Sequence, residues 1–125
     1  MNAYTTIEES KQLIEAGLDV NTADMYYEEV YLNKNDEPCY ITLPKIGKSK
    51  FIAPRQNLPC WSLTALLNVI DSNGLIYDIS NDKNREFEIL VYEANYISQE
   101  VKFHHTEHSI VDMIIWLLEN NYIKI

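Results

Sequence analysis

The sequence has few of the features that mark specialised classes of protein. Three Gly and four Pro among 125 residues are too few for a low-complexity chain, and 46% apolar residues are enough for a hydrophobic core. The longest apolar run, MIIWLL at 113–118, is too short to cross a bilayer. The opening residues, MNAYTTIEES, lack a basic segment followed by an apolar one, so we expect no signal peptide. We therefore expect a single cytoplasmic domain over residues 1–125.

Basic residues are also scarce. Ten Lys and Arg stand against 19 Asp and Glu, which gives a net charge of −9. Residues 1–40 hold nine acids and two bases, residues 41–70 hold four bases and no acid, and residues 71–125 hold ten acids and four bases. Because binding to phosphates needs clustered Lys and Arg, this balance disfavours nucleic acid and anionic membranes as partners. An acidic inhibitor that mimics DNA remains an alternative, weakened by the basic middle segment.

The stretch LPCWSLTALLNVI at 58–70 indicates a helix with a defined entrance. Ser62 is the expected N-cap, and Trp61 with Leu66 has the spacing of a hydrophobic staple. Cys60 precedes the cap by two residues. A thiol near a helix N-terminus can become a thiolate nucleophile, but a small buried spacer is the favoured interpretation.

Caps and hydrophobic periodicity predict the other elements. A first helix is expected over 6–16, with a capping box formed by Thr5 and Glu8 or by Thr6 and Glu9 and a stop at Gly17. A single helical turn capped by Asn21 or Thr22 should follow over Ala23 to Met25. The last helix is expected over 107–120, capped by Thr106. Strands are expected at 26–32, 38–43, 75–80, 86–93 and 97–103, and a further edge strand at 50–53 within a long surface loop.

The fold class that follows is α+β, with an antiparallel or mixed sheet of about five strands and three helices packed mainly on one face. In the last hairpin, a three-residue loop from Ala94 to Tyr96 would pair Ile89 with Val101. A two-residue loop would pair Ile89 with Glu100, which is less favourable for an apolar face.

The cluster HHTEH at 104–108 is the second candidate for chemistry. His104, His105 and His108 are possible zinc ligands, and Cys60 with His105 or His108 is a possible catalytic pair. A strand followed by a break at Thr106 would spoil the helical spacing, and the sequence has no HExxH or Cys-x-x-Cys pattern. We therefore expect no metal, no cofactor and no catalytic residue.

A protein-binding surface is the remaining possibility. Nine Tyr are many for this length, and buried Tyr needs a partner for its hydroxyl, so some rings should lie at the surface. In a reducing compartment Cys39 and Cys60 should be free thiols. The candidate partner-binding residues are Lys45, Lys48, Lys50, Arg55, Tyr26 and Tyr27.

Three stretches, TIEESKQLIEAGLDVNTADMYY, LPCWSLTALLNVI and IIWLLENNYI, resemble a family of small uncharacterised bacterial proteins that recur in phage and other mobile-element regions. The resemblance implies a compact stand-alone domain without an assigned activity and supplies no catalytic motif. The leading hypothesis is therefore a non-catalytic interaction or accessory module that binds a protein partner or itself. The alternatives are a small enzyme or metal-binding protein that uses Cys60 and the histidines, and the acidic DNA mimic.

Overall fold

The computed structural model describes most of the chain in six ranges, namely 3–30, 39–47, 57–81, 87–94, 101–106 and 110–124. The chain divides into two compact units, Asn2–Ala65 and Leu66–Ile125, and the boundary falls inside a helix. The predicted organisation as one domain stays a prediction. Both units combine helices with antiparallel strands, so the predicted α+β class is confirmed.

The N-terminal unit begins with helix α1, Ile7–Glu15. The two alternatives for its capping box are resolved in favour of Thr6 and Glu9. The Glu9 backbone N–H donates to Thr6 Oγ1 at 3.1 Å, and the Thr6 N–H donates to Glu9 Oε1 at 2.9 Å. Gly17 has a φ of 101°, in the left-handed region that favours glycine, so the predicted stop is confirmed.

A 3₁₀ turn at Val20–Thr22 follows, and its N-cap is Asp19. The prediction of a turn over Ala23 to Met25 was wrong. The Asp19 carboxylate accepts the Asn21 N–H at 3.0 Å, so the cap lies two residues before Asn21 and three before Thr22, and the turn begins correspondingly earlier.

Short strands form two small sheets in this unit. The strands are β1 (Met25–Tyr27), β2 (Glu29–Val30), β3 (Cys39–Tyr40), β4 (Lys45–Ile46) and β5 (Leu58–Cys60). β1 lies between β4 and β5, and β2 pairs with β3. The strands predicted at 26–32 and 38–43 pair with each other where they are described, since Glu29 lies opposite Tyr40 and Val30 opposite Cys39. The described part of the first predicted strand is divided between β1 and β2. The predicted edge strand at 50–53 lies outside the described residues.

The C-terminal unit contains most of helix α2 (Leu63–Ser72), strands β6 (Leu75–Asn81), β7 (Phe87–Ala94) and β8 (Val101–Thr106), and helix α3 (Ile110–Glu119). The three strands form one antiparallel sheet with β7 in the centre. Instead of one sheet of about five strands, the described residues form sheets of three, two and three strands.

The register of the last hairpin differs from both predicted alternatives. β7 continues to Ala94, which lies opposite Val101, and Ile89 lies opposite Thr106. The expected pairing of Ile89 with Val101 is therefore wrong, because the strands are longer and residues 95–100 separate them. Ile89 and Val91 are both buried, as expected for apolar residues two positions apart on one face of a strand.

Helix α3 buries one broad face, and the opposite side is exposed at Asp112, Trp116 and Glu119. Its buried side chains are Ile110, Val111, Met113, Ile114, Leu117 and Leu118. Asn121 adopts a φ of 63°, and the Tyr122 N–H donates to Leu117 O at 2.9 Å, which closes the last turn. The Tyr122 ring stacks on Trp116 with a centroid distance of 5.6 Å.

Candidate functional site

Ser62 is the N-cap of α2, as the sequence predicted. Ser62 Oγ accepts the Ala65 N–H at 3.1 Å. The carboxylate of Asp24 holds Ser62 in place, since it accepts hydrogen bonds from the Ser62 N–H at 2.9 Å and from the Ser62 hydroxyl. Trp61 is fully buried, and its indole N–H donates to Thr22 Oγ1 at 2.9 Å. These bonds satisfy donors that a helix start otherwise leaves free.

The segment at 3–6 lies beside this entrance, an arrangement that sequence reasoning missed. The Thr5 N–H donates to Trp61 O at 2.9 Å, the Trp61 N–H donates to Thr5 Oγ1 at 3.1 Å, and the Leu63 N–H donates to Ala3 O at 3.0 Å. Nothing in the periodicity of this short segment indicates a pairing with residues almost sixty positions away. Thr5 is completely buried by the arrangement.

Cys60 lies beneath this segment with no exposed surface. Its thiol is 3.4 Å from Thr5 O, as a donor, and 3.5 Å from Thr5 Oγ1, as an acceptor. Burial raises the pKa of the Cys60 thiol, and the hydrogen bonds from neighbouring hydroxyls only partly oppose this effect. A buried, protonated thiol is a poor nucleophile, so the geometry supports the interpretation of Cys60 as a core residue. Cys39 and Cys60 are both free thiols, as predicted.

Tyr27 lies in the same buried cluster as Thr5, Ser10 and Cys60, which we call the buried polar cluster. Only 2% of its surface is exposed, and its hydroxyl donates to Thr5 O at 2.7 Å. Burial also raises the pKa of the Tyr27 hydroxyl. Tyr27 was a candidate partner-binding residue, and this burial corrects that interpretation, because β1 directs it into the core beside Leu58 and Cys60. Tyr26, its neighbour, is half-buried.

The histidine cluster is only partly described. His104 and His105 lie in β8, where their Cα partners are Val91 and Leu90. The strand continues to Thr106, so the prediction that VKFHH is extended is confirmed. His108 and the predicted start of the last helix at 107 lie outside the described residues. Within the part of the chain that the structure describes, no three His, Cys, Asp or Glu side chains converge on a possible metal position.

Of the four basic candidate residues, which lie in the basic loop at 45–55, only Lys45 is among the described residues. Lys45 is exposed on β4, and its Nζ lies 2.7 Å from Glu28 Oε2. Lys48, Lys50 and Arg55 lie outside the described residues. The Lys45 charge is therefore already paired within the chain.

An exposed apolar surface lies next to Lys45, and sequence reasoning did not single it out. Ile46 is 88% exposed, Leu43 is 71% exposed and Ile41 is 42% exposed. We call residues 41–47 the 41–47 surface. Large side chains exposed to this extent within a few residues of each other are typical of interaction sites. The prediction divided the stretch ITLPKIG between the end of a strand at 38–43 and the start of a long surface loop, so its apolar residues were not considered together. In the structure β3 ends at Tyr40, and Ile41 and Leu43 lie beyond it.

Strand β4 also directs backbone groups away from β1 at this surface, where no other described strand pairs with them. The Gly47 N–H donates to Asp24 O at 2.8 Å, and Met25 lies opposite Ile46. Hydrogen-bonded and non-hydrogen-bonded pairs alternate in an antiparallel ladder, so the Ile46 N–H and C=O point away from β1. On that outer side β4 pairs with no other described strand. The preceding residue, Pro44, has no N–H to offer.

Comparisons with known proteins give no relative from which a function could be transferred. No family model matches the chain, and searches of curated proteins and of solved structures return no significant match. Among the helices of the described ranges, none has the length and apolar character needed to cross a membrane.

Proposed function

We propose that the protein is a non-catalytic interaction module that binds a protein partner, or a second copy of itself, through the 41–47 surface. The observation that carries this proposal is the exposure of Ile46 and Leu43, at 88% and 71%. Contact with water costs little free energy for exposed polar or small side chains, whereas it is unfavourable for these two apolar ones. An interface that covers them recovers that free energy.

The free energy gained by burying Ile46 and Leu43 shows how large the interface must be. Full burial of an Ile or Leu side chain contributes about 1.5–3 kcal/mol, so the two together contribute roughly 3–6 kcal/mol. Association costs at least about 4 kcal/mol in lost translational and rotational freedom. The two outward backbone groups of Ile46 would add about 1 kcal/mol each if a partner strand paired with them. The 41–47 surface is therefore the centre of a larger interface, and side chains around it supply the remaining affinity.

The proposal extends to an accessory role in a bacterial mobile element, in the cytoplasm. The support for that context is the resemblance of three sequence stretches. A catalytic role receives no support from Cys60, because its thiol is buried and protonated. The charge of −9 supports a partner that is itself not anionic.

A photo-crosslinking amino acid at position 46 tests the proposal in bacterial cells that express the protein. Ile76 is the matched control, since it is also an isoleucine on an edge strand and is 41% exposed. We expect a crosslinked species of defined mass from position 46 and none from position 76. Leu43→Ser in the same protein should weaken the crosslink, because it removes half of the apolar contact.

Sedimentation velocity of the purified protein separates the two kinds of partner. A second copy predicts a dimer that Ile46→Ser disrupts and Ile76→Ser leaves intact. A different partner predicts a monomer and a crosslinked species heavier than the protein by a mass other than its own. A monomer at all concentrations together with no crosslink at position 46 would refute the proposal.

A further inference from the structure

We draw no further inference here: the strongest candidate, the outer edge of strand β4 at Lys45–Ile46, belongs to the surface already described, and nothing in the structure shows what covers it.

Discussion

The hydroxyl of Thr5 is the group whose removal tests the buried polar cluster most directly. Thr5→Val keeps the shape of the side chain and removes only the hydrogen-bonding oxygen. That oxygen accepts the Trp61 N–H at 3.1 Å and lies 2.8 Å from Ser10 Oγ. Thr5 and Ser10 have no exposed surface, so water cannot replace the lost bonds. The Thr5 main-chain carbonyl, which accepts the Tyr27 hydroxyl, is unchanged by the substitution.

The expected loss of stability follows from the number of groups left without a partner. Leaving one buried donor unsatisfied costs about 1–3 kcal/mol, and two are affected here. The added methyl group recovers part of this, so we expect Thr5→Val to lower the free energy of unfolding by about 2–4 kcal/mol. Thr64→Val is the control, because Thr64 is exposed on α2 and should change stability by about 0.5 kcal/mol or less.

Urea denaturation followed by Trp fluorescence measures both variants. The double variant Thr5→Val/Ser10→Ala sharpens the test, because Ser10 then has no hydroxyl left to satisfy. Its loss should be smaller than the sum of the two single losses by about 1 kcal/mol. A Thr5→Val protein as stable as Thr64→Val, with an unchanged dependence on urea, would show that the segment at 3–6 does not hold the entrance of α2 in the way described.

Three further predictions concern the same entrance and the histidines. Burial in the folded state raises the pKa of Cys60, so the unfolded state loses this proton first, and stability should fall as pH rises above about 8.5, by up to about 1.4 kcal/mol per pH unit. Cys60→Ala should remove this slope in melts between about pH 8.5 and 10, below the range in which the buried Tyr27 adds a slope of its own. Ser62→Ala should cost about 1 kcal/mol and Trp61→Ala about 3 kcal/mol in urea melts, and a Trp61→Ala protein of wild-type stability would contradict the packed entrance. Protein purified without a His tag should contain no zinc by metal analysis, whereas stoichiometric zinc that is lost in a His105→Ala/His108→Ala variant would overturn this and revive the metal-binding alternative.

Several local signals were read correctly from neighbouring residues, whereas the single turn placed over Ala23 to Met25 was not. The box of Thr6 with Glu9, the stop at Gly17 and the cap at Ser62 each depend on side chains within three or four residues of the backbone they affect. The buried alternation of Ile89 and Val91 is local in the same sense. The burial of the Cys60 thiol is not local in this sense, because it depends on Thr5 and Tyr27, which lie far from Cys60 in the sequence.

The candidate interaction surface was only partly predictable. The sequence pointed to the basic loop and to Tyr26 and Tyr27, and the structure shows Tyr27 buried and Lys45 paired with Glu28. The exposed Ile46 was not identified, because an apolar residue in an aperiodic stretch is equally consistent with burial and exposure. Its exposure depends on which strand pairs with β4 and from which side.

The sequence by itself determined the α+β class, the N-caps of α1 and α2 and the extended character of the strand that carries His104 and His105, since each follows from patterns among near neighbours in the chain. Only the tertiary structure decided the strand order, the hairpin register and the pairing of Thr5 with Trp61. These pairings join distant residues, and several alternatives satisfy the same local preferences. The choice among them depends on the total burial of apolar side chains and on satisfying every buried polar group at once, which no short stretch of sequence specifies.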